Sequence, residues 1–185
     1  KIMNNQGAFP KYKEFADGLK GVFQNLYDIR VQFDARAEEA AKKYYNAPYS
    51  IFCGSGSAWG ETLLFAMCIL EEMQWVRTRP VTSAQFFHGT LELVEKGVPV
   101  FVIKGEDEYR AQDIRVERFL KTIGHEDAVV IDLAEFALDG IENEFRPIIS
   151  PMIVTALLTD RTASYYETYT KHNLKYRRYY RQFEY

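Results

Sequence analysis

The run "VPVFVIKG" at residues 98–105 is apolar at nearly every position, and this restricts what the chain can fold into. A strand with one wet face alternates polar and apolar side chains. A strand covered on both faces does not, and such strands belong to parallel sheets flanked by helices. The neighbouring sequence agrees. "DEYRAQDIRVERFLKTI" follows with amphipathic helical spacing, and "DAVVIDL" then returns to apolar strand sequence. Upstream, "PYSIFCG" (48–54) reads as a buried strand and "SAWGETLLFAMCILEEMQWV" as a long helix with few polar residues, so much of its circumference is expected to be buried. "RPVTSAQF" (79–86) reads as a second, short strand, and residues 145–169 as a mostly helical stretch whose start Pro147 and Pro151 make irregular. Strands alternating with helical segments of this length predict an α/β fold: a doubly wound parallel sheet flanked by helices, a flavodoxin-like three-layer α/β/α arrangement with a C-terminal tail. Right-handed crossovers put helices on both faces, and ligands belong beyond the carboxyl ends of the strands. That rule places Gly54–Ser57 and the region after residue 84 at the expected functional edge.

Ahead of the first strand, residues 11–26 and 30–45 read as two helices, the second closing with basic residues in its last turn. The opening "KIMNNQGAFP" reads as a connector, and a start at Lys1 rather than Met is expected of a processed or excised piece. With 185 residues, one domain is expected: 1–45 as linker and N-terminal helices, 46–170 as the α/β domain, 171–185 as a C-terminal arm. The longest mainly apolar stretches, near 63–70 and 148–158, fall short of the roughly 20 residues needed to span a bilayer, so no membrane partner is expected. Cys53 and Cys68 lack CxxC or histidine spacing. They are expected to be small core residues rather than zinc ligands or a disulfide framework, in keeping with a reducing cytoplasm.

Charge is unevenly spread. The last fifteen residues, "KHNLKYRRYYRQFEY", hold five Lys or Arg against one Glu, whereas the first 170 hold 18 against 25. A basic, aromatic tail is a possible nucleic-acid grip, but an acidic body repels phosphate backbones. The tail is therefore expected to fold back on its own or a partner's acidic surface, with no nucleic acid involved. If it is extended, Tyr179, Arg181, Phe183 and Tyr185 share one face.

Two features carry potential chemistry. "CGSGSAWGET" follows the first strand and opens a helix, so its backbone N–H groups sit where an anion is favoured. It lacks the spacing of a Walker loop or a dinucleotide fingerprint. Ser55 and Ser57 either bind phosphate or cap the helix. Sixteen residues separate Glu72, near the end of an apolar helix, from His88, which precedes Gly89 beyond the second strand. Glutamates in such partly buried places, and histidines anywhere, titrate within reach of neutrality, which suits an acid–base couple moving a proton beside a carbonyl. The blander alternatives are a helix-end carboxylate and a loop histidine bonded to backbone.

"CILEEM" followed at that separation by "FFHGTLELVEKGVPVFVIKG" resembles the C-terminal half of the sugar isomerase (SIS) family. "GSGSAWGET", "FFHGTLE" and the ending "HNLKYRRYYRQFEY" are most similar to the fructosamine 6-phosphate deglycases within it, over roughly residues 45–185. The resemblance implies that Glu72 stands at the catalytic glutamate position and His88 at the catalytic histidine position. It also implies that Ser55, Ser57, Lys175 and Arg177 contact substrate. Gln85 replaces a carboxylate that the related synthases carry three residues before the histidine. The implied reaction is hydrolysis of a phosphorylated sugar-amine to glucose 6-phosphate and a free amino acid, without a cofactor or metal. The implied assembly is at least a homodimer, with His88 completing a neighbour's site. The resemblance further implies that the main sugar-phosphate pocket lies in a first SIS half outside this chain. An isomerase half of a glucosamine-6-phosphate synthase-like enzyme and a non-catalytic sugar-phosphate-binding module are the alternatives.

Overall fold

The computed structural model describes residues 1–184. Its centre is a sheet of four parallel strands, β1 (Ser50–Gly54), β2 (Thr78–Thr82), β3 (Val100–Lys104) and β4 (Ala128–Asp132), in the order β2-β1-β3-β4. This is the doubly wound order with its switch point between β1 and β3. Both central strands are buried at every position, as their uninterrupted apolar sequences require. The edge strands are partly exposed, and β2 carries Pro80, which an interior strand would not tolerate.

Pleating sorts each strand between two cores. Phe52, Phe101, Ile103 and Ile131 join the larger one; Ile51, Cys53, Val100 and Val102 join the smaller. Phe52 and Phe101 stack across neighbouring strands at 4.6 Å and 9°. Losing such a buried ring costs about 3–5 kcal/mol.

Helices cover both faces. In chain order they are α1 (Ile2–Asn5), α2 (Tyr12–Gly18), α3 (Val22–Tyr44), α4 (Gly56–Leu64), α5 (Ser83–Phe86), α6 (Arg110–Thr122), α7 (Arg146–Val154) and α8 (Ala163–Thr170). α4 runs on as a π-helix over Phe65–Met73, and a second π-helical stretch, Thr155–Thr162, joins α7 to α8. The larger core lies between the sheet and α3, α4, α7 and α8; α5 and α6 close the smaller one. None of the described helices is long and apolar enough to cross a membrane.

The structure departs from the sequence reading at several boundaries. Residues 30–45 are not a separate helix: α3 runs unbroken from Val22, and the break falls earlier, at the 3-10 turn Leu19–Gly21. Just before that turn, a Cβ on Gly18 would lie 2.3 Å from the carbonyl oxygen of Gly140, so the chain passes there only without a side chain. Strand β2 stops at Thr82 rather than reaching Phe86, because the Thr82 hydroxyl accepts the N–H of Gln85 and starts α5. The long helix after β1 ends at Met73 rather than Val76, and Trp75 takes φ 56°. Cys53 is a core residue, but Cys68 is only half-buried.

Candidate active site

α4 leaves the carboxyl end of β1 and returns antiparallel to the strands, so its π-helical end arrives at the opposite edge of the sheet, beside the start of β2. Glu71 and Glu72 occupy that last turn and diverge. The Thr78 hydroxyl, on the first residue of β2, donates to Glu71. Glu72 accepts from Arg177 Nε at 2.8 Å, with side-chain exposures of 32% and 17%. The Arg177 Nη1 also donates to the carbonyls of Leu174 and Tyr176, both at 2.8 Å, so the guanidinium is fixed by the arm that carries it. Between these groups lies a cavity of about 600 Å³, lined among others by Glu71, Glu72, Trp75, Arg77, Arg177 and Arg178.

The arm reaches this place through local hydrogen bonding. Lys171 ends α8 in the left-handed conformation, φ 56°. The Gln74 Nε2 then donates to the carbonyl of His172 at 2.7 Å, tying the arm to the residue after α4. Trp75 packs against the His172 ring, with centroids 4.2 Å apart, and the Arg178 guanidinium lies 4.2 Å from the Trp75 ring centre. The arm is not extended over the residues that would share a face in a strand. The Gln182 N–H closes a turn onto Tyr179, and Arg181 is left-handed at φ 57°, so Tyr179, Arg181 and Phe183 do not share a strand face. Tyr185, the fourth residue of that face, lies outside the described residues.

The carboxyl edge has a different character. Gly56 turns at φ 52°, and the space a Cβ would need is filled by Asp107, 2.1 Å away. The Ser57 N–H and hydroxyl donate to Asp107 Oδ2 at 2.6 and 2.7 Å, and the Tyr109 N–H to Oδ1 at 3.0 Å. Burial pushes the Asp107 carboxyl up, but these hydrogen bonds outweigh it and leave the group below its ordinary value. The anion at this helix start is thus the chain's own carboxylate, and a phosphate on Ser57 would have to displace it. Ser55 is buried and makes no capping bond. It lies by Asp113, a buried carboxyl pushed up by burial although Ser83 donates to it at 2.6 Å and the Gly105 N–H at 3.0 Å. Further along the edge Asp132 is gripped by both Nη atoms of Arg110, at 2.7 and 2.6 Å, and by Lys104 at 2.9 Å.

His88 stands exposed at this carboxyl edge, its backbone N–H bonded to the Gln85 carbonyl at 2.8 Å. Its ring has no hydrogen-bonding partner among the described residues. β2 alone puts roughly 13 Å between the edge of Glu72 and that of His88, at about 3.3 Å per residue. Of the sequence-derived candidates, then, the fold brings together Glu72 and Arg177 only. Arg177 is engaged by Glu72 rather than left open for substrate. Lys175 is exposed and does not line the cavity. Sequence reasoning overlooked Trp75, Arg77 and Arg178. Their nearest signal is position: "QWVR" follows the glutamate directly, and Arg178 follows Arg177.

Comparison with known proteins places this geometry. No family model matches the chain. The fructosamine deglycase FrlB of Bacillus subtilis (strain 168) is 26% identical over 185 residues, which is all of this chain and 55% of that protein. The fructoselysine 6-phosphate deglycase of Escherichia coli (strain K12) is 33% identical over 111 residues, 60% of this chain and 31% of that protein. The chain spans about half the length of the first relative, and its matched 111 residues span about a third of the second. Among solved structures, a putative phosphosugar isomerase from Salmonella typhimurium LT2 superimposes with a TM-score of 0.90 at 22% identity, over 100% of this chain and 56% of that one. The chain therefore has the SIS fold of the phosphosugar isomerases, and the two relatives compared above are a fructosamine deglycase and a fructoselysine 6-phosphate deglycase.

Proposed function

We propose that this chain supplies the Glu72 half of a phosphosugar deglycase site, acting on a fructosamine 6-phosphate such as fructoselysine 6-phosphate. Glu72 removes a proton from C1 of the sugar and leaves an enaminol. A proton returned at C2 gives a Schiff base at C1, and water cleaves it to glucose 6-phosphate and the free amine. His88 serves as the acid that opens the ring or protonates the sugar oxygen. Each such group typically contributes ~10²–10⁴-fold. Arg177 positions Glu72 and is a partner for its ionised form.

The observation that carries this reading is the split between the two candidates. Glu72 faces a cavity large enough for a sugar phosphate, while His88 stands on the other edge of the sheet with its ring unengaged by the described residues. A base and an acid so placed serve one substrate only if the acid comes from another copy, so the working unit is at least a homodimer and His88 completes the neighbour's site. A first SIS half, matching the rest of the relatives' length, holds the sugar phosphate.

The test mixes full-length subunits carrying Glu72→Gln with subunits carrying His88→Ala. Mixed dimers regain one working site and part of the release of amine from fructoselysine 6-phosphate. No recovery despite demonstrated subunit exchange defeats the shared site. Isomerisation of a phosphosugar without amine release by the unaltered protein would move the assignment to the isomerase alternative.

A further inference from the structure

On the deglycase reading just given, we propose that Arg178, seconded by Arg77, reads the carboxylate of the substrate's amino-acid moiety and so selects which amines the site accepts. The cavity wall presents three guanidiniums, from Arg77, Arg177 and Arg178, and two carboxylates. Both carboxylates are engaged: Glu72 by Arg177 and Glu71 by Thr78. Among the described residues, neither Arg77 nor Arg178 has an ion-pair partner. The wall thus holds cationic hydrogen-bond donors that the described part of the chain leaves unmatched, around a cavity whose proposed substrate is anionic.

Arg178 is also held ready. Its guanidinium lies over the Trp75 indole, which in turn packs on His172. Trp75 sits at φ 56°, a backbone region that bulky residues enter only under strain and that clusters at ligand sites. A guanidinium stacked on a ring keeps its in-plane N–H groups free, and that planar fork matches a carboxylate bidentately.

The anion met here is a carboxylate rather than the sugar's phosphate. On the deglycase reading the sugar phosphate is held by the first SIS half, so the carboxylate is the anion left for the guanidiniums of this cavity.

The test compares two substrates on the full-length protein: fructoselysine 6-phosphate, and the same phosphorylated sugar on cadaverine, which is lysine without its carboxylate. Arg178→Ala should raise KM for the lysine compound about 10- to 100-fold, the scale of one hydrogen bond to a charged group, with kcat little changed and the cadaverine compound unaffected. Arg178→Lys should fall between, and Arg77→Ala should act in the same direction more weakly. An equal rise in KM for both substrates would mean that Arg178 holds the phosphate or merely the arm, and would overturn the assignment, as would no change for either. If the unaltered protein releases amine from neither compound, the deglycase reading fails and this one fails with it.

Discussion

The two edges of the sheet make opposite use of their charges. At the carboxyl edge three carboxylates are satisfied internally: Asp107 by Ser57 and Tyr109, Asp113 by Ser83 and Gly105, Asp132 by Arg110 and Lys104. At the amino edge a large cavity remains, with Arg178 held by ring stacking rather than by an acid. Parallel α/β folds ordinarily bind ligands at the first kind of place. Here the turn that opens the helix after β1 is occupied by the chain's own carboxylate, while the carboxyl edge keeps the exposed His88 and a cavity of about 640 Å³ lined by Glu106, Glu135 and Arg146, and the Glu72 cavity lies at the far end of that helix. A fold rule locates a crevice; whether it is vacant depends on the side chains that reach it.

Breaking the amino edge should have the largest effect. Glu72→Gln keeps the shape and the Arg177 contact but removes basicity, so turnover by the full-length protein should fall about 10²-fold or more at unchanged stability. Glu71→Gln, on a side chain aimed at Thr78, should matter far less. Steady-state kinetics of both variants checks this, and near-normal turnover with Glu72→Gln sinks the assignment of the base.

Breaking the carboxyl edge should cost stability instead. Gly56→Ala puts a methyl group where Asp107 now sits and forces an L-residue into the left-handed region. The backbone contributes about 1–2 kcal/mol and a lost hydrogen bond to a charged group about 1.5–3, so a loss of roughly 2–5 kcal/mol is expected in denaturant unfolding. A loss well under 1 kcal/mol would show that Asp107 moves aside easily and that the turn can open.

The same edge should dominate acid sensitivity. Burial pushes the Asp132 carboxyl up, but Arg110 and Lys104 overcome this and hold it well below the usual carboxylate range. Because the folded value is below the unfolded one, its contribution is complete above the ordinary pKa of about 4 and is lost as pH falls below it. Asp132→Asn should therefore lower stability at neutral pH and flatten the decline below about pH 4. A decline of unchanged steepness would assign the acid limb elsewhere.

The smallest effect tests the packing beneath the arm. Tyr166, in α8, is fully buried and its hydroxyl has no hydrogen-bond partner among the described residues. Tyr166→Phe removes an unsatisfied polar atom and should leave stability unchanged or raise it by up to about 1 kcal/mol. A clear loss in thermal unfolding would mean the hydroxyl is engaged after all.

The layers of this fold were legible because burial on two faces writes itself into composition. Val100–Lys104 and Ser50–Gly54 are apolar in sequence for the same reason that they are central in the sheet. Boundaries were less legible where one contact decided them. Thr82 could have continued a strand, but its hydroxyl starts a helix. Within the site, the place of Glu72 near the end of an apolar helix could be read, while its catalytic assignment came from the family resemblance. The opposite edges of Glu72 and His88 follow from the parallel β-α-β order, because the crossover helix must return to the amino edge. Two things could not be read. A contact across 50 residues in sequence puts Asp107 into the glycine turn. One across 105 residues brings Arg177 to Glu72. Local sequence determines which faces must be dry, because that depends on each side chain's own transfer free energy. Which charge meets which depends on chain reversals that only the assembled layers impose.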